Sequence, residues 1–579
     1  MIRVKKTALA VAAAVTSVAV LAACGSSGGG GNGKKSTDQV GKAPDKTTNN
    51  AVNQMNAQPR TALQSGGKIT WVLSQTIPNF NYYDVNGTLQ DTFQLLNAIE
   101  PEPFYYDAAG TPSVNTDYFT SIKQTKSSPL TIDYKINPKA KWSDGTALSW
   151  QDFYWLWKAN NGTNPAYEIA STIGYDQIGS VTKGANAQDV LVTFKTPFTD
   201  WQSLFAPFLP QSLTKSPTTF NKGWVGKPLV TSGPFKWGST NKTAQSYTVV
   251  RDPNWWGQPA LLDSITFQAY NDPSAAVQAL GQHEVDYVDI STGDTVSNVA
   301  AVKGYSGVQI RQAGGNNYRM FTLNTRDPLL SDIKVRQAVV LGINRQAITT
   351  ALIGKLGGNP TPLQNHFFMK NQSAYTDTCG DYCTYDPAKA KQLLTADGWT
   401  LKNGYFEKNG KQLSLSITIP SETPNAKTEA EIAQSTLKAA GIKLTLTSVP
   451  SNDFFSKYIF NTPQSAAGKF QITTFTWIGT PFPVGGALSI FKYDPKAKGQ
   501  NAGFGGTTAI NTLLAKASSS ATVDEENKLA NEASQQMWAN AAWLPLYQRP
   551  QVTGIDTKLA NLGAYGFAYI HYQDIGFVK

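Results

Sequence analysis

A chain of 579 residues has room for more than one hydrophobic core, and 41% apolar against 16% charged residues excludes disorder for most of it. The net charge is +10, but Arg3, Lys5 and Lys6 precede residue 24 with no acid among them, and residues 24–65 carry five bases against two acids, which leaves +4 for the rest. A basic excess that sits mostly in the leader and tail is no nucleic-acid footprint, so no nucleic acid is expected as a partner.

Met1 to Lys6 is short and basic, and Thr7 to Ala22 is almost entirely Ala, Val and Leu. That run is shorter than the roughly 20 residues of a permanent membrane span and has the layout of a secretory signal peptide over residues 1–23. Leu21-Ala22-Ala23-Cys24 resembles a bacterial lipobox. The resemblance implies that Cys24 is lipidated and becomes the first residue of the mature chain, held to the outer face of the cell membrane by its acyl chains. Residues 24–65 hold almost no large apolar side chain and are expected to form a flexible tether.

The globular part alternates strands and helices. Ile69–Leu73, Asp133–Ile136, Asp189–Phe194, Ser246–Val250 and Ser264–Tyr270 have the β-branched and aromatic content of strands. Ser143-Asp144-Gly145 is a turn, and a helix is expected from near Ser149. Ser274–Gly281 is a short helix. Ser331 is placed to cap a helix through Val335, Val339 and Ile343, and Pro387 to open another that Gly398 ends. Lys427–Ala440 and Asp524–Trp538 are further helices, with a strand at Ile442–Leu446 between them. The 14 Trp, 24 Tyr and 26 Phe suit cores and sheets first and the lining of a ligand cleft second. The fold class is α/β with mixed sheets.

Beyond Cys24 the cysteines are Cys379 and Cys383, a spacing that in an exported chain predicts a disulfide. The three histidines are His283, His366 and His571, and only His366 is near that pair, so no metal site is expected. None of the histidines pairs with a recognisable nucleophile motif, and no zinc-protease, P-loop or dinucleotide fingerprint appears, so no catalytic residue and no cofactor is assigned. Glycosidase carboxylates carry no short signature, which leaves a secreted hydrolase as an alternative.

Four stretches, in order, resemble the large peptide- and nickel-type solute-binding proteins of ABC importers. They are Lys141–Thr146 with Trp150–Phe153; Ser232–Phe235 with Arg251–Gly257; Phe321–Thr325 through Asp332, Val335–Ala338 and Ile343–Arg345; and Tyr385–Ala390 with Leu393, Leu394, Gly398 and Trp399. The form is that of a lipoprotein from a Gram-positive, actinobacterial cell. Asp144, Gly145, Asp332, Arg336 and Arg345 are read as structural members of these motifs, the arginines as ion-pair or capping partners. The resemblance implies a two-lobed periplasmic-binding-protein-like fold with a hinge and an extra domain in the N-terminal lobe. Residues 66–99, 225–325 and 540–579 would form the first lobe, 100–224 its extra domain, and 326–539 the second lobe.

It further implies a monomer that captures a short peptide and hands it to importer permease subunits. Relatives with peptide ligands add the peptide as a strand, which here points to Thr474, Phe475, Thr476, Trp477, Ile478 and Gly479, with Ser74 and Gln75 on the other lobe and Phe482 beside them. Such binders usually follow the tryptophan with an Asp that holds the ligand's ammonium. Here Trp477 is followed by Ile478-Gly479-Thr480-Pro481-Phe482, and the next acid is Asp494. Either another carboxylate such as Asp84 or Asp91 serves, or the N-terminus is not gripped by charge. The other readings are a different solute (a metal chelate, haem or an oligosaccharide) and a surface receptor that has kept the fold.

Overall fold

The computed structural model describes residues 53–291, 295–356, 360–460, 470–493 and 500–579. The expected signal peptide, Cys24 and the expected tether up to residue 52 lie outside these.

A seven-stranded sheet carries the first lobe. At its centre Lys68–Leu73 runs parallel to Ser264–Ala269 in register from Lys68↔Ser264 to Leu73↔Ala269. Trp71 and Leu73 are fully buried on this strand. The Trp71 ring lies 4.4 Å from that of Tyr287 and stacks on Tyr572 at 5.7 Å, which locks the C-terminal segment onto the sheet. A separate four-stranded sheet, made of Phe119–Ser127, Leu130–Ile136, Ile178–Lys183 and Asp189–Phe194, belongs to the extra domain. Its Tyr134 and Phe153 share one core with Trp71 and Phe80 of the first lobe.

The helix Trp150–Asn160 opens on a reciprocal cap, with Ser149 N donating to Asp152 Oδ2 at 2.9 Å. The turn before it forms as expected: Thr146 N donates to Asp144 Oδ1 at 2.9 Å, and Gly145 takes φ 86°, which a side chain would strain.

A five-stranded sheet carries the second lobe, in the order Lys443–Val449, Ser414–Pro420, Ile472–Ile478, Asn317–Leu323, Trp543–Gln548. Asn317–Leu323 and Trp543–Gln548 were read with the first lobe, yet both pair in this sheet. The chain therefore passes between sheets at 314–316, after Val308–Ala313, and returns at 549–550, before Gln551–Asp556. The two crossings touch. Arg549 N donates to Asn317 O at 2.7 Å, and a Cβ on Gly315 would stand 2.2 Å from Arg549 O, so only glycine fits there. The hinge that the resemblance implies is expected at these crossings.

Two local readings change. The segment from residue 53 is not tether: Asn53 Nδ2 donates to Tyr565 O, and Arg60 reaches Asp574 Oδ1 at 2.5 Å and Gln573 O at 2.7 Å, while Leu63 is buried. Its amide and guanidinium groups, read as solvated, bind the backbone of the C-terminal segment instead. The helix Ile333–Gly342 is capped by Asp332, which accepts from Lys334 N at 2.8 Å, whereas the Ser331 hydroxyl turns back to Pro328 O. Of the ion-pair and capping roles expected for Arg336 and Arg345, capping is the one formed: Arg336 donates to Asn540 O, the last residue of the helix Val523–Asn540, and to Leu330 O and Ser331 O, and Arg345 donates to Leu363 O, Pro545 O, Tyr382 O and Cys383 O. Cys379 and Cys383 are joined by a disulfide around the turn Gly380–Tyr382, which Arg345 thus ties down.

The extra domain also meets the second lobe directly. Thr199 donates through its amide to Ser518 O at 2.9 Å and through its hydroxyl to Ser520 O at 2.8 Å. Asp200 Oδ2 accepts from Gly485 N at 2.6 Å and is hydrogen-bonded to Glu526.

Candidate functional site

Between the lobes lie two adjoining cavities, of about 490 and 310 Å³. Gln90, Gln94, Asn316, Tyr565 and Gly566 line both, so they are two halves of one cleft.

The larger half is aromatic. Tyr82, Tyr83, Phe93, Tyr106, Phe482 and Tyr569 are among its walls, with Phe482 edge-on to Tyr106 at 5.9 Å. Among the described residues Glu102 is its one charged lining residue. Burial pushes that carboxyl up to about 8, and the Asn97 carboxamide donates to its Oε1 at 2.7 Å. The smaller half carries more charge and reaches the crossings. Its charged walls are Asp91, Asp289 and Arg549.

The residues singled out in the sequence are distributed unevenly. Ser74 lines the smaller cavity and gives its amide and hydroxyl to Asp91, at 2.6 and 2.9 Å. Gln75 is outside both linings and donates to Asp91 Oδ2 at 3.4 Å. Thr476 and Ile478 line the smaller cavity, and Phe482 the larger. Thr474 is fully buried and donates to Glu429 Oε2 at 2.7 Å. Phe475 and Trp477 point the opposite way, as a strand's alternation requires, into a core with Met369 and Phe491. Gly479 N donates to Asn316 O at 2.6 Å, beside the first crossing.

Main-chain geometry adds a second feature. The strand Ile472–Ile478 pairs along its whole length with Asn317–Leu323, but with Ser414–Pro420 only at Ile472 and Thr473. Beyond Thr473 that edge has no ladder partner among the described residues.

Sequence reasoning missed Asp289, Glu102 and Arg549. Arg549 lies just past a buried strand and before a proline, where nothing in the local pattern separates it from Arg336 or Arg345. Of the carboxylates named as substitutes for the missing acid, Asp91 lines the cleft. Asp84 is instead buried in a turn, accepting from Asn86 N at 2.8 Å. Among the described residues no cluster of His, Cys, Asp and Glu could hold a metal ion, and no helix is long and apolar enough to cross a membrane.

Two sheets, two crossings and a cleft beside them are the build of a solute-binding protein. The model of the bacterial extracellular solute-binding proteins, family 5 (middle), matches residues 114–499, and the chain belongs to that family. It is 34% identical over 529 residues to the oligopeptide-binding protein OppA of Mycobacterium tuberculosis (strain ATCC 25618 / H37Rv), covering 91% of this chain and 87% of that one. Among solved structures it is similar to a periplasmic EDTA-binding protein, EppA, with TM-score 0.80 and 26% identity over 90% of this chain and 98% of the other. A lactococcal OppA, complexed with an endogenous peptide in the closed conformation, has the same fold, with TM-score 0.69 and 20% identity over 88% and 100%.

Proposed function

We propose that this chain captures a short peptide in the cleft between its lobes and delivers it to the permease subunits of an ABC importer, acting as a monomer anchored outside the cell membrane through lipid on Cys24. The observation that carries the reading is the unpaired edge of Ile472–Ile478 beside the cleft. A peptide added as a strand would satisfy those main-chain groups whatever its sequence. The 490 Å³ aromatic half is large enough for bulky side chains of varied shape. The names of the mycobacterial and lactococcal relatives agree with it.

Mass spectrometry of the solute released from purified protein tests the reading. Peptides of a few residues are expected, and calorimetry with the same peptides should give saturable binding. Release of a single non-peptide compound that rebinds would replace it. A second reading, a carboxylate-bearing chelate, is favoured by the likeness to the EDTA-binding protein, and the same experiment distinguishes it.

A further inference from the structure

Two arginines reach Thr476 Oγ1, and they are in opposite states. Arg319, on the strand Asn317–Leu323, is buried and saturated. Its Nε and Nη2 hold Glu429 in a fork at 2.8 and 2.6 Å, Nη2 also donates to Thr474 Oγ1 at 3.0 Å, and Nη1 reaches Thr476 at 3.3 Å. Tyr547 completes the cluster by donating to the same carboxylate at 2.6 Å. Arg549 is half-buried at the second crossing and lines the polar half of the cleft. Among the described residues its guanidinium donates a single hydrogen bond, from Nη1 to Thr476 at 3.4 Å, and it forms no ion pair within 4.0 Å. Burial lowers its pKa, whereas for Arg319 burial is offset and more by the charges and hydrogen bonds of Glu429 and Tyr547 together, so its pKa rises.

A guanidinium has five N–H donors in a fixed fork that matches a carboxylate. Leaving most of them without protein partners in a confined cleft is costly unless a ligand supplies the acceptors. Asp289 lines the same cavity, but its oxygens already accept from Ser291 N at 2.9 Å and Gln551 Nε2 at 3.3 Å. Asp91 is likewise occupied by Ser74 and Gln75.

We propose that Arg549 is the anion-binding group of the cleft, taking a carboxylate of the bound solute in its fork. The proposal rests on the cleft being the peptide site. In a peptide the carboxylate is either the C-terminus or an acidic side chain. Because Arg549 sits where the chain returns to the first lobe, the bound carboxylate would be gripped at the hinge, close to the axis of closure.

The test uses calorimetry on the full globular chain with a peptide recovered from the protein, or failing that a pentapeptide of mixed composition. It is prepared as free acid, as C-terminal amide, and with each Glu or Asp changed to its amide. If Arg549 holds the C-terminus, amidation weakens binding to the unmodified protein about tenfold or more. If it holds a side chain, one internal amide does so and C-terminal amidation does not. In both cases Arg549→Gln binds acid and amide forms with affinities within about threefold, and Arg549→Lys restores part of the preference. Equal affinities for all forms in the unmodified protein, or the same preference in Arg549→Gln, overturn the proposal. Failure of every peptide form to bind the unmodified protein would instead defeat the peptide reading itself. Unchanged thermal unfolding of Arg549→Gln separates loss of contact from loss of fold.

Discussion

The two halves of the cleft share five lining residues and differ in the rest of their walls, charged in one and aromatic in the other. The polar half is built on the crossings, where Gly315 packs so close to the Arg549 carbonyl that a Cβ would clash. The aromatic half opens toward the place where the extra domain meets the second lobe, and Phe198 and Gly485, neighbours of the Asp200 contact, line it. One half is therefore suited to fixing charged and main-chain groups, and the other to accepting variable side chains, since apolar walls give area without demanding partners. A binder of many peptides needs both, placed at opposite ends of the same space.

The largest expected effect separates framework from site. Arg319→Leu leaves Glu429 buried without its cation, and breaking such a pair costs about 3–5 kcal/mol of stability. Arg549→Leu, a change in the cleft, should cost about 1 kcal/mol or less. Urea denaturation of the two variants checks this. Equal losses would mean that Arg549 is framework too.

A second effect concerns the closing end. Burial raises the pKa of both Asp200 and Glu526, and each carboxyl bears on the other. Gly485 N–H partly offsets the rise at Asp200, and no cation is among the groups shifting either acid. A raised acid binds protons more strongly in the closed form than in an open form with ordinary carboxyls. Closure should therefore take up a proton, and peptide affinity should fall as pH rises above the ordinary carboxylate range. The slope is at most about tenfold per pH unit. Glu526→Gln keeps a donor for Asp200 and should flatten the profile in calorimetry between pH 6 and 8. An unchanged profile would remove the pair from closure.

The aromatic half carries a further effect at Glu102. Its raised carboxyl makes the folded state the stronger proton binder, so stability falls as pH rises from the ordinary carboxylate range to about 8. Glu102→Gln should differ little from the parent near pH 5 and be more stable by on the order of 3–4 kcal/mol at pH 8. Thermal melts at the two pH values read this directly, and a gap that does not widen with pH would contradict it.

Much of the scaffold was legible because its signals are local. The strand Asp189–Phe194, the cap at Ser149 and the turn at Gly145 depend on neighbours within a few residues. The crossings were not, because they lie more than 200 residues apart in the chain and only their contact defines them. The site was partly legible. Alternation along Ile472–Ile478 shows that Thr474, Thr476 and Ile478 share a face, but not which face meets the cleft, and Thr474 is consumed by Glu429 in any case. Arg549 was invisible because an arginine's role depends on whether its acceptors come from the protein or from elsewhere.

The smallest expected effect concerns a peptide's N-terminus. A site that insists on a free ammonium needs an acid with lone pairs to spare. No acid follows Trp477 before Asp494, and Gly479 is engaged with Asn316. Asp91 and Asp289 do line the polar half, but each already accepts at least two protein hydrogen bonds. Their charge can attract an ammonium through the cleft without forming the saturated contacts that make a blocked end intolerable. An acetylated peptide should therefore bind within about tenfold, or 1.4 kcal/mol, of its free-amine parent. The loss should shrink further in Asp289→Asn if that residue supplies the attraction, and in Asp91→Asn if the other does. Calorimetry on the matched pair decides. A hundredfold loss on acetylation would show that one of these carboxylates gives up its protein partners when peptide arrives, and the polar half would then grip both ends of the ligand by charge.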